Sequence, residues 1–474
     1  MMETETNSTK RKRSFIVNLL ILSVGTILPK FTALITIPII TGALTKEQYG
    51  VYDLIVTVVT FLLPIVTMQL HSAAFRFLIE CRDDREEENK VISNTFLFAF
   101  ATTIISAVIL FFVLFKYDLI IRGLICAFYV IEVLFRCVQY IARGLNQNKV
   151  YSASCVIESV INMLLIIGFL TFMEAGLPGL LGAMIIGQLL AVLYASVRIG
   201  LFSRLRISYM SWKRLKEMMA YSIPMIPNVL SIWILSSSDR IVLTSVWGVS
   251  VNAVYGVANR IPQVLSTVQT AFTQAWQENA SISIKDDNLE KYYSDMFDDV
   301  VTILAGFIAA LFMALPWLFK LLIHGDYLEA YPHIGILFLG TFFSCIMSFL
   351  GGIYVAHKET KSIGITTMIS AAINLLIDIA FVCFWRIYAA SISTLVAYLV
   401  IAVYRMIDVR RFQKINYDIK KLVAIVMILG GMCALSCINT TITIIGNIVV
   451  GVAFIAVFER KMFVKIAHML KGKK

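Results

Sequence analysis

The stretch YSIPMIPNVLSIWILSSSDRIVLTSVW, residues 221–247, decides the fold class. It runs for 27 residues with one adjacent pair of charges, Asp239 and Arg240, and is otherwise apolar or weakly polar. About 20 predominantly apolar residues suffice to cross a bilayer core as a helix. A charge at membrane depth costs roughly 2.5–3.5 kcal/mol on insertion scales. Asp239 and Arg240 therefore predict either a buried pair or a wall of a watery cavity.

Segments of the same kind recur from end to end. The 474-residue chain is 59% hydrophobic and only 15% charged, with a mean hydropathy of +0.82. A soluble protein of this length carries about a quarter of its residues charged. The composition predicts an all-α integral membrane protein with fourteen spans, at about 15–43, 51–78, 91–115, 119–142, 152–173, 178–201, 219–246, 251–276, 296–323, 331–356, 362–384, 388–407, 421–438 and 442–459. The segment KRKRSFIVNLLIL runs into the first span without a small-residue cleavage site, so that span reads as retained.

Lys and Arg orient the helices. Loops on one side carry 31 of the 41 basic residues, from Lys10–Arg13 to the tail beginning at Arg460, and about five lie in the opposite loops. The positive-inside rule then places both termini in the cytoplasm of a multi-pass cytoplasmic membrane protein, which requires an even number of spans. The net charge of +11 is explained by these loops, without nucleic acid as a partner. The outer loops are too short to hold the extramembrane chemistry of a polymerase or glycosyltransferase, so the chain does not read as an enzyme. The eight cysteines show no metal or disulfide spacing, the five histidines have no partner at ligand spacing, and no phosphate-binding glycine loop suggests ATP drive. No cofactor or metal is expected.

The chain divides into halves that echo each other. ILPKF (27–31) recurs as MIPNV (225–229), and QYGVYDL (48–54) as VYGVANR (254–260). Six spans separate the copies, so the repeats are parallel. The expected division is a lobe at 1–200, a basic linker at 201–218, a second lobe at 219–410, and two further helices with a basic tail at 411–474. The linker LFSRLRISYMSWKRLKEM reads as a hinge-side connection or as an interfacial amphipathic helix. Six of the nine prolines (Pro29, Pro38, Pro64, Pro224, Pro227 and Pro262) fall in the first two spans of each half, and interrupted helices at matching positions point to a transporter's site.

Charged and polar residues fall in stripes. Glu132, Arg136, Gln139 and Arg143 recur at steps of 4, 3 and 4 on one helix face. Arg260, Gln263, Thr267, Thr270 and Gln274 form another stripe, and Asn374 and Asp378 a third. Arg136 and Glu158 are expected at one depth as a buried pair, and Asp239 and Arg260 share another depth. Five bases (Lys30, Arg76, Arg136, Arg240 and Arg260) thus stand against four acids (Glu132, Glu158, Asp239 and Asp378) within the spans. Facing lipid, nine charges would cost on the order of 25 kcal/mol, so they must face inward. The bland alternative is salt bridges that merely orient helices, with Arg76 snorkelling to the interface.

A surplus of guanidinium suits a phosphate-bearing amphiphile, because the planar donor fork matches phosphate oxygens. Arg240, Arg260, Lys30, Arg136 and Arg76 are the candidate contacts for a diphosphate and its sugars. Asp239, Glu132, Glu158 and Asp378 are candidate counter-ions or carriers of a coupling H⁺ or Na⁺. Asn228, Asn259, Gln263, Thr267 and Gln274 are candidate polar cavity residues. Trp233, Tyr255 and Trp276 either stack on sugar faces or simply pack.

These segments resemble the polysaccharide transporters, the Wzx-type lipid-linked oligosaccharide flippases of the multidrug/oligosaccharidyl-lipid/polysaccharide exporter superfamily. The likeness is carried by ILPKFTALITIPIITGALTKEQYGVYDL, by YSIPMIPNVLSIWILSSSDRIVL with Pro227 twelve residues ahead of Asp239-Arg240, and by VYGVANRIPQV and FTQAWQE. It implies two pseudo-symmetric six-helix lobes, MATE-like, around a central cavity, plus two C-terminal helices. It implies flipping of an undecaprenyl-diphosphate-linked oligosaccharide by alternating access for O-antigen, capsule or exopolysaccharide assembly. Implied partners are that lipid-linked oligosaccharide, membrane lipids, H⁺ or Na⁺, and a polysaccharide polymerase with its chain-length regulator. Competing readings are a multidrug/cation antiporter of the same superfamily, for which the arginine surplus has the wrong sign, and a non-transporting scaffold, which would not need polar stripes.

Overall fold

In the computed structural model, residues 24–82, 84–284 and 288–458 are described, except the side chains of residues 267, 268, 271, 274, 275, 282 and 360. The basic N-terminus, the start of the first expected span and the basic tail lie outside them. Among the described residues every regular element is a helix. In order, the helices are α1 (Val24–Ala43), α2 (Lys46–Val66), α3 (Leu70–Glu80), α4 (Arg85–Val113), α5 (Leu119–Gly144), α6 (Asn148–Ile166), α7 (Gly176–Arg198), α8 (Leu201–Arg204), α9 (Trp212–Ser222), α10 (Ile226–Trp247), α11 (Val249–Ala258), α12 (Arg260–Ser283), α13 (Leu289–Leu322), α14 (Tyr331–Ala356), α15 (Thr360–Trp385), α16 (Ile387–Asp408), α17 (Ile419–Ile438) and α18 (Thr441–Phe458). Among the described residues, twelve helical stretches are long and apolar enough to cross a membrane. The segments expected at 119–142 and 251–276 are not among these twelve, and the second is broken into α11, apolar but ten residues long, and α12.

Two expected spans are interrupted. The segment expected at 251–276 divides into α11 and α12 at Asn259. Pro262 explains the position, since its ring clashes with the carbonyl four residues back, at Ala258, and it offers no N–H to that carbonyl. The segment expected at 51–78 divides into α2 and α3 without proline at the break. Met68 and Gln69 there adopt φ of 47° and 56°, the left-handed region that non-glycine residues enter at about 1–3 kcal/mol each. At the break Thr67 Oγ1 donates to the Leu63 carbonyl at 2.7 Å and Ser72 Oγ to Gln69 Oε1 at 2.9 Å.

The chain forms two compact units, residues 1–230 and 231–474. The division falls inside α10, beyond the expected linker at 201–218. The linker itself is packed on the first unit. Leu201, Leu215 and Met218 enter a core with Leu70, Ala74, Val91 and Val138. Arg204 Nη1 donates to Glu88 at 2.6 Å, and Arg214 pairs with Glu87. The Arg214 guanidinium, followed by Lys90, holds the Glu87 carboxyl below the ordinary carboxylate range.

In the second unit, α14 is buried along most of its length between α12, α16 and α17. Trp276 stacks on Phe349 at 4.3 Å and donates its indole N–H to the Phe349 carbonyl at 2.8 Å. Trp276 is thus a packing residue, unavailable to stack on a sugar. A Cβ on Gly352 would collide with this fixed indole ring. Gly352→Ala is therefore expected to destabilise the protein by about 1–3 kcal/mol through overpacking, read as a lower unfolding midpoint in detergent.

Candidate functional site

Two intramembrane polar clusters stand out, one in each unit. The first grows from the predicted stripe on α5. Glu132 is buried and accepts from Arg136 Nε at 2.7 Å, one helical turn on, and from Gln188 Nε2 of α7 at 2.5 Å. The Arg136 side chain is 47% exposed, so the buried acid fixes the base of a guanidinium that presents itself at the unit's surface. Arg136 does not form the expected ion pair with Glu158. That acid, half-buried on α6, lies close enough to feel both charges, but the intrahelical partner at i−4 is nearer and satisfies the arginine first.

The rest of the stripe is structural. Gln139 is buried and donates to Cys155 Sγ at 3.1 Å, while Arg143 lies over the rings of Phe75 and Tyr151 at 5.0 and 5.4 Å. Sequence reasoning set His71 aside. It is buried just past the α2–α3 break, edge-on to Tyr140 at 4.7 Å and 3.4 Å from Thr67 Oγ1. It is near enough to Arg136 to feel its charge. A break without proline or glycine carries no sequence signal that would have found it.

The second cluster joins α10, α11, α15 and α16. Asp239 is almost fully buried and accepts from Tyr255 Oη and, at 2.8 Å, from Thr394 Oγ1. Asp378, equally buried, accepts from Ser393 Oγ at 2.6 Å and lies beside Asp239. Asn374 donates to Ser393 Oγ and accepts from Ser238 Oγ, both at 3.2 Å. Among the described residues, neither Asp239 Oδ1 nor Asp378 Oδ2 accepts a hydrogen bond. Two carboxylates adjacent in a dry site repel unless a proton or a cation lies between them. The all-oxygen donor set suits a hard cation. Tyr255, Ser393, Thr394 and Ser238 were not singled out for this role, because hydroxyls in apolar helices look the same in sequence whether they pack or ligate.

The remaining predicted residues lie on α1, α3, α10 and the α11–α12 stretch. Arg240 is buried, and Arg260 is half-buried at the start of α12. Lys30, Asn228 and Gln263 are exposed, and Asn259 is half-buried with its amide donating to the Tyr255 carbonyl at 3.1 Å. Arg76 is exposed and pairs with Glu80 at 2.9 Å near the end of α3. The side chains of Thr267 and Gln274 lie outside the described residues. No three His, Cys, Asp or Glu side chains converge among the described residues.

A family model described as "Polysaccharide biosynthesis protein" matches residues 15–276. No curated protein sequence matches the chain. Among solved structures, the chain is similar to the lipid II flippase MurJ in an inward closed conformation, with a TM-score of 0.71 at 15% identity, covering 94% of this chain and 100% of that one. It is also similar to an inward-facing multidrug resistance MATE family transporter of the MOP superfamily, with a TM-score of 0.66 at 14% identity over 83% of this chain and 98% of the other. A third similar structure is a MOP superfamily transporter from Pyrococcus furiosus, described as having a binding pocket of reverse polarity, with a TM-score of 0.55 at 12% identity over 83% and 95% of the two chains. These likenesses give the chain a MurJ- and MATE-like fold.

Proposed function

The chain belongs to the polysaccharide biosynthesis protein family, and from that membership we propose that it is a flippase of the cytoplasmic membrane. Its cargo is an undecaprenyl-diphosphate-linked oligosaccharide repeat unit destined for a surface polysaccharide. It moves that cargo by alternating access, coupled to H⁺ or Na⁺, and performs no chemistry on it. The observation that carries the reading is Arg136, an arginine whose side chain is half-exposed within a 26-residue helix. Left against lipid it would cost about 2.5–3.5 kcal/mol. Against water and a diphosphate it gains charge-assisted hydrogen bonds in a low dielectric. Lys30, exposed on α1, is a second candidate cation of the first unit. In the second unit the candidate cations are Arg240, which is buried, and Arg260, which is half-buried.

Asp239 and Asp378 carry the coupling ion in this reading, because their two facing acceptors require a proton or cation between them. Asp378→Asn and Asp239→Asn are each expected to remove the stimulation of transport by an imposed ion gradient. A loss of roughly 5–150-fold matches ordinary coupling free energies. An unchanged gradient response in both variants would remove these acids from the coupling step.

The direct test is reconstitution in liposomes with a labelled, native lipid-linked oligosaccharide and an assay of its exchange between leaflets. Protein-dependent exchange is expected, faster under the appropriate H⁺ or Na⁺ gradient. No exchange above empty liposomes, with gradients of both ions tried, would sink the flippase reading.

A further inference from the structure

The segment from Gly200 to Lys216 has more apolar surface than its packing uses. Its inward residues, Leu201 and Leu215, are buried in the first unit's core. A second apolar set points away: Phe202, Ile207, Met210 and Trp212 are exposed, Ile207 at 80% and Trp212 at 66%. A loop bathed only in water has no reason to carry four large apolar side chains on its outer face.

The same segment is basic, and its charges fall into two groups. Arg204 and Arg214 are spoken for by Glu88 and Glu87 at the start of α4. Arg206, Lys213 and Lys216 are exposed among the apolar residues. Lys216 Nζ lies 5.5 Å from the Trp212 ring and the Arg206 guanidinium 6.0 Å from the Tyr209 ring. Arg206 and Lys216 thus each share their surface with an aromatic side chain.

Position and rigidity complete the picture. The segment leaves α7 at Arg198 and returns through α9 into the stretch that continues as α10, so it joins two membrane-length helices at their ends on one side. It is also held to α4 by side chains. Ser93 Oγ donates to the Arg204 carbonyl at 3.2 Å and accepts from the Arg206 N–H at 3.3 Å. Asn94 accepts from the Ser211 N–H at 3.2 Å and donates to the Tyr209 carbonyl at 3.5 Å. The outward face is therefore presented in one orientation at the level where a bilayer ends.

We infer that this strap is a lipid-binding element: Phe202, Ile207, Met210 and Trp212 enter the bilayer interface, and Arg206, Lys213 and Lys216 bind the phosphates of anionic phospholipids. Aromatic and aliphatic residues on one face with Lys and Arg beside them are the features of an interfacial segment. Juxtamembrane bases draw anionic lipid. The strap thereby fixes the first unit to the leaflet it meets. The inference needs the membrane but not the flippase reading, so transport and lipid binding can fail separately.

The full chain in nanodiscs tests it, with dibrominated phosphatidylcholine or dibrominated phosphatidylglycerol as quencher of tryptophan fluorescence. Subtracting the signal of Trp212→Phe isolates Trp212 from the other five tryptophans. Trp212 is expected to be quenched by both lipids, with an apparent preference for the anionic one of about fivefold, the worth of a single Lys or Arg at an anionic surface. The triple variant Arg206→Gln, Lys213→Gln, Lys216→Gln should lose the preference and keep quenching by brominated phosphatidylcholine, which also reports that the strap is still folded. A Trp212 signal that neither lipid quenches and aqueous iodide does would overturn the proposal. Equal quenching by the two lipids in the unaltered protein would overturn it as well.

Discussion

Replacing Arg136 by Ala is expected to stop transport while leaving the protein in the membrane. Arg136 combines a fixed base with a presented side chain: Nε is held at 2.7 Å by buried Glu132, and nearly half of the side chain remains exposed. Hydrogen bonds to a charged group contribute about 1.5–3 kcal/mol each, so losing one bidentate phosphate contact predicts a fall in exchange of at least roughly tenfold to a hundredfold. Arg136→Lys keeps the charge but not the planar fork and should rescue only part of the rate. Truncation also leaves Glu132 with the Gln188 amide alone, so a stability effect has to be separated from a transport effect. The double variant Glu132→Gln, Arg136→Gln removes the pair as a neutral unit. It should restore the unfolding midpoint to near that of the unaltered protein and remain inactive. Normal exchange in that double variant would show that the pair only orients helices.

The α5 stripe was legible because Glu132, Arg136, Gln139 and Arg143 repeat at helical spacing in an apolar background. What spacing could not say is which neighbour each would choose. Arg136 takes Glu132 on its own helix rather than Glu158 on the next, and a depth argument cannot rank the two. Asn374 and Asp378 were visible as an i,i+4 pair, and Asp239 as a charge in an apolar run. Their meeting through Ser393, Thr394 and Tyr255 depends on how α10, α11, α15 and α16 pack, which no local pattern encodes. Pro262 contained the α11–α12 break in its ring geometry. The α2–α3 break at Met68 and Gln69 had no such marker, because tertiary packing and not residue type holds those two residues at positive φ. The linker's acid partners, Glu87 and Glu88, sat in a run of charges that reads as a solvated loop. Only their contacts across more than a hundred residues of sequence place the linker on the first unit.

Arg405 shows the opposite failure, a charge that the sequence assigns to a basic loop and the structure buries. Its side chain is among the least exposed in the chain. The guanidinium donates through Nε and Nη2 to Thr366 Oγ1 at 3.1 and 2.8 Å, through Nη2 to Thr367 Oγ1 at 3.1 Å, and through Nη1 to the Met347 carbonyl at 2.9 Å. It also lies 5.8 Å from the Tyr354 ring, and Tyr354 Oη donates to Asp408 at 2.6 Å, which is in turn paired with Arg411. One arginine on α16 thus ties α14 to α15 and places its charge beside the Asp408 pair. Gly351 is part of the same arrangement, since a Cβ there would stand 3.1 Å from Arg405 Nη1. Arg405→Ala would take the guanidinium's hydrogen bonds from two hydroxyls and from the Met347 and Ile363 carbonyls, and open a cavity of side-chain size. Breaking a buried charged network in this way costs about 3–5 kcal/mol, a large share of ordinary net stability. The expected result is loss of most protein from the membrane fraction, and for the remainder a much lower unfolding midpoint in detergent. Arg405→Met restores volume but no donors and should recover only part of the loss. If Arg405→Ala accumulates and unfolds like the unaltered protein, the clasp contributes nothing and the α14–α15–α16 core is held by its apolar contacts alone.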